Sequence, residues 1–297
     1  MHGSGLRGVI AAAATPITAG LGPDLDRFVA LCRWLLDNGC DGLNICGTTG
    51  EATSFTRDQR MAIMRAAAGS LPLERIMAGT GAASVGDAVA LTEHAAALGF
   101  AGALLLPPFY YKGVEDDGVL HYFERIAEAT AGNPIDLYLY NFPALSGVAY
   151  PAGLVRRLCD AFGSRIAGLK DSSGDLAYAA EVAAISPELR VFPSNEAVLL
   201  RARAGEFAGC ISASANVNAP FCARAFHDGD QDALVIATKI RGLVSRTKLI
   251  ASVKAALGFI RGDDAFEAVL PPLTRLSDGE RGALTRDLGP LLRGASQ

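Results

Sequence analysis

Eight times between residues 9 and 227, a short and continuously apolar run is followed by a longer stretch with helical periodicity. No other property of the chain limits its fold as much. The apolar runs cover residues 9–17, 42–46, 75–79, 101–106, 135–140, 166–170, 189–192 and 209–212. The helical stretches between and after them cover 24–36, 56–68, 84–97, 118–130, 151–161, 176–184, 196–204 and 220–227. Unbroken apolar runs are the pattern of strands buried on both faces, which is how parallel sheets are built. Regular alternation of strand and helix over ~220 residues suits a closed (β/α)₈ barrel, an α/β fold of ~250 residues. An open, doubly wound sheet is the competing architecture. Beyond Asp228 only helical periodicity remains, from 232 to 292. The expected organisation is a barrel over residues 1–228 and a helical segment over 229–297 packed on it.

Half of the 297 residues are hydrophobic and the net charge is −4. There is no basic stripe, which argues against nucleic acid or an anionic membrane surface as a partner. No apolar run is long enough to span a membrane, and residues 1–8 lack the apolar core of a signal peptide. The six cysteines are scattered, with no CxxC pair. They read as reduced, buried thiols of a cytoplasmic protein. The four histidines have no metal-ligand spacing, and no phosphate-binding or calcium loop survives inspection of its spacing. Neither a metal nor a cofactor is called for.

The sixth apolar run ends on Lys170 and opens into Asp171-Ser172-Ser173-Gly174. The other lysines, Lys112, Lys239, Lys248 and Lys254, fall in polar loops or helical stretches. A lysine at the end of a buried strand either snorkels to water or serves as an amine nucleophile that forms a Schiff base with a carbonyl. Thr15, Thr48, Thr49, Tyr110 and Tyr140 also lie at or just after strand ends. In a barrel those ends share one face, where active sites are found, and this convergence favours the nucleophile. Tyr140, ending the neighbouring strand, is the candidate proton shuttle. Gly47-Thr48-Thr49-Gly50 offers backbone N–H groups and two hydroxyls to a carboxylate. Glu51 reads as an acceptor that fixes this loop.

These residues resemble a known family. Gly47-Thr48-Thr49-Gly50-Glu51, Pro108-Phe109-Tyr110-Tyr111, Tyr140-Asn141-Phe142-Pro143, Gly168-Leu169-Lys170-Asp171-Ser172-Ser173-Gly174 and Ser212-Ala213-Ser214-Ala215-Asn216-Val217 are similar to the motifs of the dihydrodipicolinate synthase/N-acetylneuraminate lyase family. The resemblance implies a (β/α)₈ barrel with a C-terminal helical extension, usually a homotetramer. It implies class I aldolase chemistry on pyruvate or a pyruvate-derived 2-oxo acid, with an aldehyde as the other half. It implies Lys170 as the Schiff-base lysine and Tyr140 as the proton-transfer tyrosine. Thr48 and Thr49 would bind the carboxylate, Thr49 also joining the hydroxyl relay. Tyr110 would reach across a tight dimer, and Gly47, Ser172 and the backbone of Ile211 would border the substrate.

The departures from the family bear on substrate. Leu145 stands where the synthase branch carries an arginine for a second carboxylate, and leucine makes no charge-assisted bond. Sialate lyases pair serine with threonine where this chain has Thr48-Thr49, and an aspartate with a glutamate where it has Asn195-Glu196. Ala213 replaces one of their serines. The expectation is therefore a 2-keto-3-deoxygluconate-type aldolase. A 4-hydroxy-tetrahydrodipicolinate synthase, an N-acetylneuraminate lyase and a deoxy sugar acid dehydratase are its rivals within the enzyme class. A non-catalytic 2-oxo acid sensor is the rival outside it.

Overall fold

The computed structural model describes residues 5–293. His2, half of the opening stretch read for a leader, and the last four residues of the C-terminal segment lie outside them. The strands are β1 (Gly8–Ala12), β2 (Gly42–Ile45), β3 (Ile76–Gly79), β4 (Gly102–Leu105), β5 (Leu137–Asn141), β6 (Ile166–Asp171), β7 (Arg190–Pro193) and β8 (Gly209–Ser212). Each pairs in parallel with its neighbour, in the order β7-β6-β5-β4-β3-β2-β1-β8. At the remaining seam the N–H of Ala208, just ahead of β8, donates to the Val191 carbonyl at 2.9 Å. The chain is a (β/α)₈ barrel, not an open sheet.

Successive strand residues point to opposite faces, so the barrel has two cores. Val9, Ala11, Leu43, Ile45, Leu137 and Leu139 pack outward with the helices. Ile10, Ala12, Met77, Tyr138, Tyr140 and Ile211 fill the interior. The Tyr138 ring needs space there, and glycine supplies it. A Cβ added at Gly102 would lie 2.6 Å from the ring, and one at Gly168 2.8 Å.

Helices alternate with the strands as the periodicity predicts. They include α1 (Leu25–Asp37), α2 (Arg57–Ala68), α3 (Val85–Leu98), α4 (Asp116–Ala129), the one-turn α5 (Pro143–Ser146), α6 (Ala152–Phe162) and α7 (Leu176–Ala183). Asp24, Thr56 and Ser84 cap α1, α2 and α3 through their side chains, satisfying N–H groups that the first turn leaves free. Two expectations shift. Residues 196–204 begin as a 3₁₀ turn, Glu196–Val198, before the short helix α8 (Leu199–Arg203). The eighth helix starts at Ala215, not at Pro220; α9 (Ala215–Ala223) carries Pro220 inside it. Proline suits a first turn, but side-chain bonds decide the start here. Asn216 donates to the carbonyls of Ala12 and Ala213, both at 2.8 Å.

After α9 the chain is helical only: α10 (Gln231–Val244), α11 (Leu249–Arg261) and α12 (Asp278–Arg293). Among the described residues no helix is long and apolar enough to cross a membrane, and no group of histidine, cysteine and acidic residues could hold a metal ion.

Candidate active site

Lys170 and Tyr140 are register partners on adjacent strands, and both side chains are buried. The Lys170 Nζ lies 4.2 Å from the centre of the Tyr140 ring. The Tyr140 hydroxyl is 3.2 Å from Thr48 Oγ1. All three open onto a cavity of about 560 Å³ at the C-terminal ends of the strands, a volume ordinary for a small-molecule site. Thr49, Ser172 and Ile211 also line it. A larger cleft of about 1020 Å³ lies at the opposite end of the barrel, among Ile135, Ile166, Leu189 and Phe207. It contains none of these residues, and the strand-end position makes the smaller cavity the candidate site.

The threonine loop is shaped by strain at both ends. Cys46 and Glu51 adopt left-handed backbone conformations, with φ of 52° and 55°, uncommon for residues other than glycine. Such residues persist where surrounding structure holds them, often at functional sites. Glu51 is held by Lys254 of α11, which forms a buried ion pair with it. Its other oxygen accepts the Leu270 N–H at 2.6 Å. Burial pushes the Lys254 amine below its ordinary pKa, with Glu51 opposing. Between the two strained residues, the Thr48 carbonyl accepts the Glu51 N–H and the Gly47 carbonyl the Ala52 N–H. Among the described residues no hydrogen bond leaves the N–H groups of Thr48, Thr49 or Gly50. The turn thus offers backbone donors to an anion.

On the other side Asp171 fixes the turn after Lys170. It accepts from Asn141 Nδ2 at 2.7 Å, and from the Ser173 N–H and hydroxyl at 3.2 and 2.9 Å. Burial raises its pKa, and these hydrogen bonds oppose the rise. Cys46 is buried, and desolvation lifts its thiol to about 11, which suits packing and not reactivity.

The structure rearranges several expectations. The hydroxyl that touches Tyr140 belongs to Thr48, whereas the family resemblance implies Thr49 in the relay. Thr49 is nonetheless on the cavity wall and only 5% exposed. Gly47 packs against the Asn44 carboxamide, where an added Cβ would lie 2.5 Å from the oxygen. Thr15 is buried behind the loop with its hydroxyl unpaired among the described residues, and does not line the cavity. Tyr110 is 75% exposed in the single chain, edge-on to Tyr111, and is likewise absent from the wall. Leu145 does line it. Asn195 caps the 3₁₀ turn, its side-chain oxygen accepting the Ala197 N–H at 3.0 Å. Glu196 is buried among Ser212, Ser214 and Asn218, which donate to one of its oxygens.

Sequence reasoning missed Arg241 and Lys248. Both reach the cavity wall from the helical segment, with Leu249, Ile250, Pro272 and Leu273. The alternation that marked the barrel says nothing about which face of a later helix meets its mouth.

Comparison with known proteins agrees with the geometry. The family model described as the dihydrodipicolinate synthetase family matches residues 5–290. An uncharacterized DapA-like lyase of Chloroflexus aurantiacus is 35% identical over 290 residues, covering 94% of each chain. A crystal structure of dihydrodipicolinate synthase from Agrobacterium tumefaciens superposes with a TM-score of 0.90 at 28% identity, covering 97% of this chain and 100% of that one. YagE of Escherichia coli K12, a prophage protein of the dihydrodipicolinic acid synthase family solved in complex with pyruvate, superposes with a TM-score of 0.87 at 27% identity. It covers 96% of this chain and 98% of its own. The chain belongs to the dihydrodipicolinate synthetase family and is a lyase of the class I, Schiff-base-forming kind.

Proposed function

We propose that the protein cleaves a 2-keto-3-deoxy sugar acid, of the 2-keto-3-deoxygluconate type, into pyruvate and an aldehyde. The observation that carries this reading is the meeting of Lys170, Tyr140 and Thr48 at one cavity, to which the segment 141–147 contributes Leu145. The Lys170 amine adds to C2 of the 2-oxo acid. Loss of water leaves a protonated imine, which withdraws electrons from C3. The C3–C4 bond breaks as the C4 hydroxyl gives up its proton, releasing the aldehyde and leaving an enamine. Protonation at C3 and hydrolysis return pyruvate and the free amine. Tyr140, bonded to Thr48, is the shuttle for these protons. The unpaired N–H groups of residues 48–50 and the hydroxyls of Thr48 and Thr49 are suited to the C1 carboxylate. Ser172 and Ile211 border the chain of the substrate.

The pyruvate bound in YagE favours a pyruvate-derived substrate. A synthase reading is favoured by the Agrobacterium neighbour's name and opposed by Leu145. A sialate reading is opposed by Glu196, whose carboxylate is spent on its own neighbours. We also infer that residues 229–297 are part of the catalytic unit and not an independent domain, since Lys254 braces the threonine loop. We further infer a cytoplasmic homotetramer, its tight dimer bringing Tyr110 to the partner's cavity. The exposure of Tyr110 and the six free cysteines support this.

The test is the intact mass after incubation with pyruvate and borohydride. A pyruvyl-sized increase in the wild type, absent in Lys170→Ala, is the expected result. No adduct in the wild type would overturn the reading in favour of a non-catalytic sensor.

A further inference from the structure

The cavity has two unlike walls. Near Lys170 it is hydroxylic, with Thr48, Thr49, Tyr140 and Ser172. Farther out it is made largely of Leu145, Ala213, Leu249, Ile250, Pro272 and Leu273. A long polyol tail laid along that outer wall would bury hydroxyls without partners, which is costly. Two charged groups from the helical segment interrupt it, Arg241 and Lys248. Arg241 lies on the cavity wall with its side chain 28% exposed.

Arg241 is held from one side only. Its Nη1 donates to the Ser194 carbonyl at 2.7 Å, to Glu196 Oε2 at 3.0 Å and to Ser212 Oγ at 3.2 Å. Every hydrogen bond that Arg241 makes to the described residues leaves from this one nitrogen. The Nε and Nη2 groups remain, and together they form the edge of the guanidinium that grips a carboxylate with two parallel bonds. At two other arginines that same edge is occupied by a carboxylate. Arg201 uses Nε and Nη2 on Glu206, and Arg224 uses them on Asp230. Glu196, at first sight a sugar-binding acid, instead orients Arg241. Its Oε1 takes the Ser212 hydroxyl at 2.7 Å and the Ser214 hydroxyl at 2.5 Å, while Oε2 faces the guanidinium.

We propose that Arg241 reads a carboxylate at the far end of the substrate, so that the enzyme acts on a 2-oxo-3-deoxy acid carrying a carboxylate at both ends. This inference rests on the aldolase reading above and narrows its substrate class: the acid keeps the 2-keto-3-deoxy sugar acid frame but carries a carboxylate in place of the terminal hydroxymethyl of 2-keto-3-deoxygluconate. Where Leu145 supplies no cation, Arg241 brings one to the same cavity from a helix of the C-terminal segment. A singly charged group is favoured over a phosphate. Glu196 already offsets part of the Arg241 charge, and Lys248 is committed to the Arg275 carbonyl at 3.1 Å, with Glu280 at 3.7 Å.

The experiment runs the aldol reaction from pyruvate with three aldehydes of one length: tartronate semialdehyde, glyceraldehyde and glyceraldehyde 3-phosphate. The wild type is expected to favour the carboxylated aldehyde over its neutral counterpart by roughly 10- to 100-fold in kcat/KM, the value of a charge-assisted pair. Arg241→Gln should abolish that preference, mainly through KM, while leaving pyruvate trapping on Lys170 intact. Arg241→Lys, which keeps the charge and the contact with Glu196 but loses the fork, should retain only part of it. Arg246→Gln, an equal charge change at a residue 62% exposed and away from the cavity, should leave the preference unchanged. A wild type that favours glyceraldehyde or its phosphate, or an Arg241→Gln enzyme that keeps the wild-type preference, would overturn the assignment while trapping still supports the aldolase. Absence of trapping in the wild type would remove both.

Discussion

Lys170 and Lys254 are both almost wholly buried, at 3% and 0% exposure, and are surrounded in opposite ways. Lys254 has the partners that a buried cation requires: the Glu51 carboxylate and the Ala268 carbonyl. Among the described residues Lys170 has none, only the face of the Tyr140 ring and an opening to the cavity. A buried charge with satisfied partners is structural. A buried amine that faces a cavity without one is available for bond formation. The two also communicate, because the carboxylate that Lys254 holds belongs to Glu51, which ends the threonine loop.

The largest separation between the two should come from deleting each in turn. Lys170→Ala is expected to lower turnover by on the order of 10⁴-fold or more and to abolish borohydride trapping. Its unfolding midpoint should stay at or above the wild-type value, since no ion pair is broken. An Ala variant that still traps pyruvate would put the imine on another lysine and erase the contrast. Tyr140→Phe comes next. It keeps the ring beside Lys170 but removes the hydroxyl bonded to Thr48, with an expected loss of about 10³-fold in kcat. Trapping should persist, more slowly. Loss of trapping as complete as in Lys170→Ala would make the ring contact, and not proton transfer, the function of Tyr140.

Lys254→Ala addresses the other side. Breaking a buried pair and leaving one charge behind costs about 3–5 kcal/mol, read as a lowered midpoint in chemical denaturation. The double variant Lys254→Met, Glu51→Gln leaves no orphaned charge and should recover most of that stability. If Lys254→Ala is as stable as the wild type, the pair is not the brace described here.

How far each lysine was legible follows from its surroundings. Lys170 ends a run of apolar residues that can only be a buried strand, and strand ends in a barrel converge whatever the loops do. The barrel and its strand order followed from the same periodicity. Lys254 sits in Ala251-Ser252-Val253-Lys254-Ala255-Ala256-Leu257, all buried. Its pattern reads as an ordinary helix, and its partner is 203 residues away in the chain. Arg241 was hidden in the same way, because which helix face meets the barrel mouth depends on packing that no local spacing encodes. Motif order places the Thr48-Thr49 pair together and gives Thr49 the relay, whereas the hydroxyl beside Tyr140 is that of Thr48. The division of work between them depends on which hydroxyl a strained turn aims at Tyr140.

The smallest effects should settle that division. Thr48→Val removes the hydroxyl 3.2 Å from the Tyr140 oxygen while preserving shape. A lost hydrogen bond of this kind is worth about 1 kcal/mol, so kcat should fall by roughly 5- to 10-fold with KM for pyruvate changed less. Thr49→Val removes a cavity-wall hydroxyl that does not touch the tyrosine. Its effect should fall on KM for pyruvate, by a similar factor, if Thr49 serves the carboxylate. The reverse pattern, with Thr49 controlling kcat and Thr48 controlling KM, would mean that the loop rearranges when substrate binds. Glu51, held by Lys254, would then be the hinge of that rearrangement, and the structural lysine would have a share in catalysis after all.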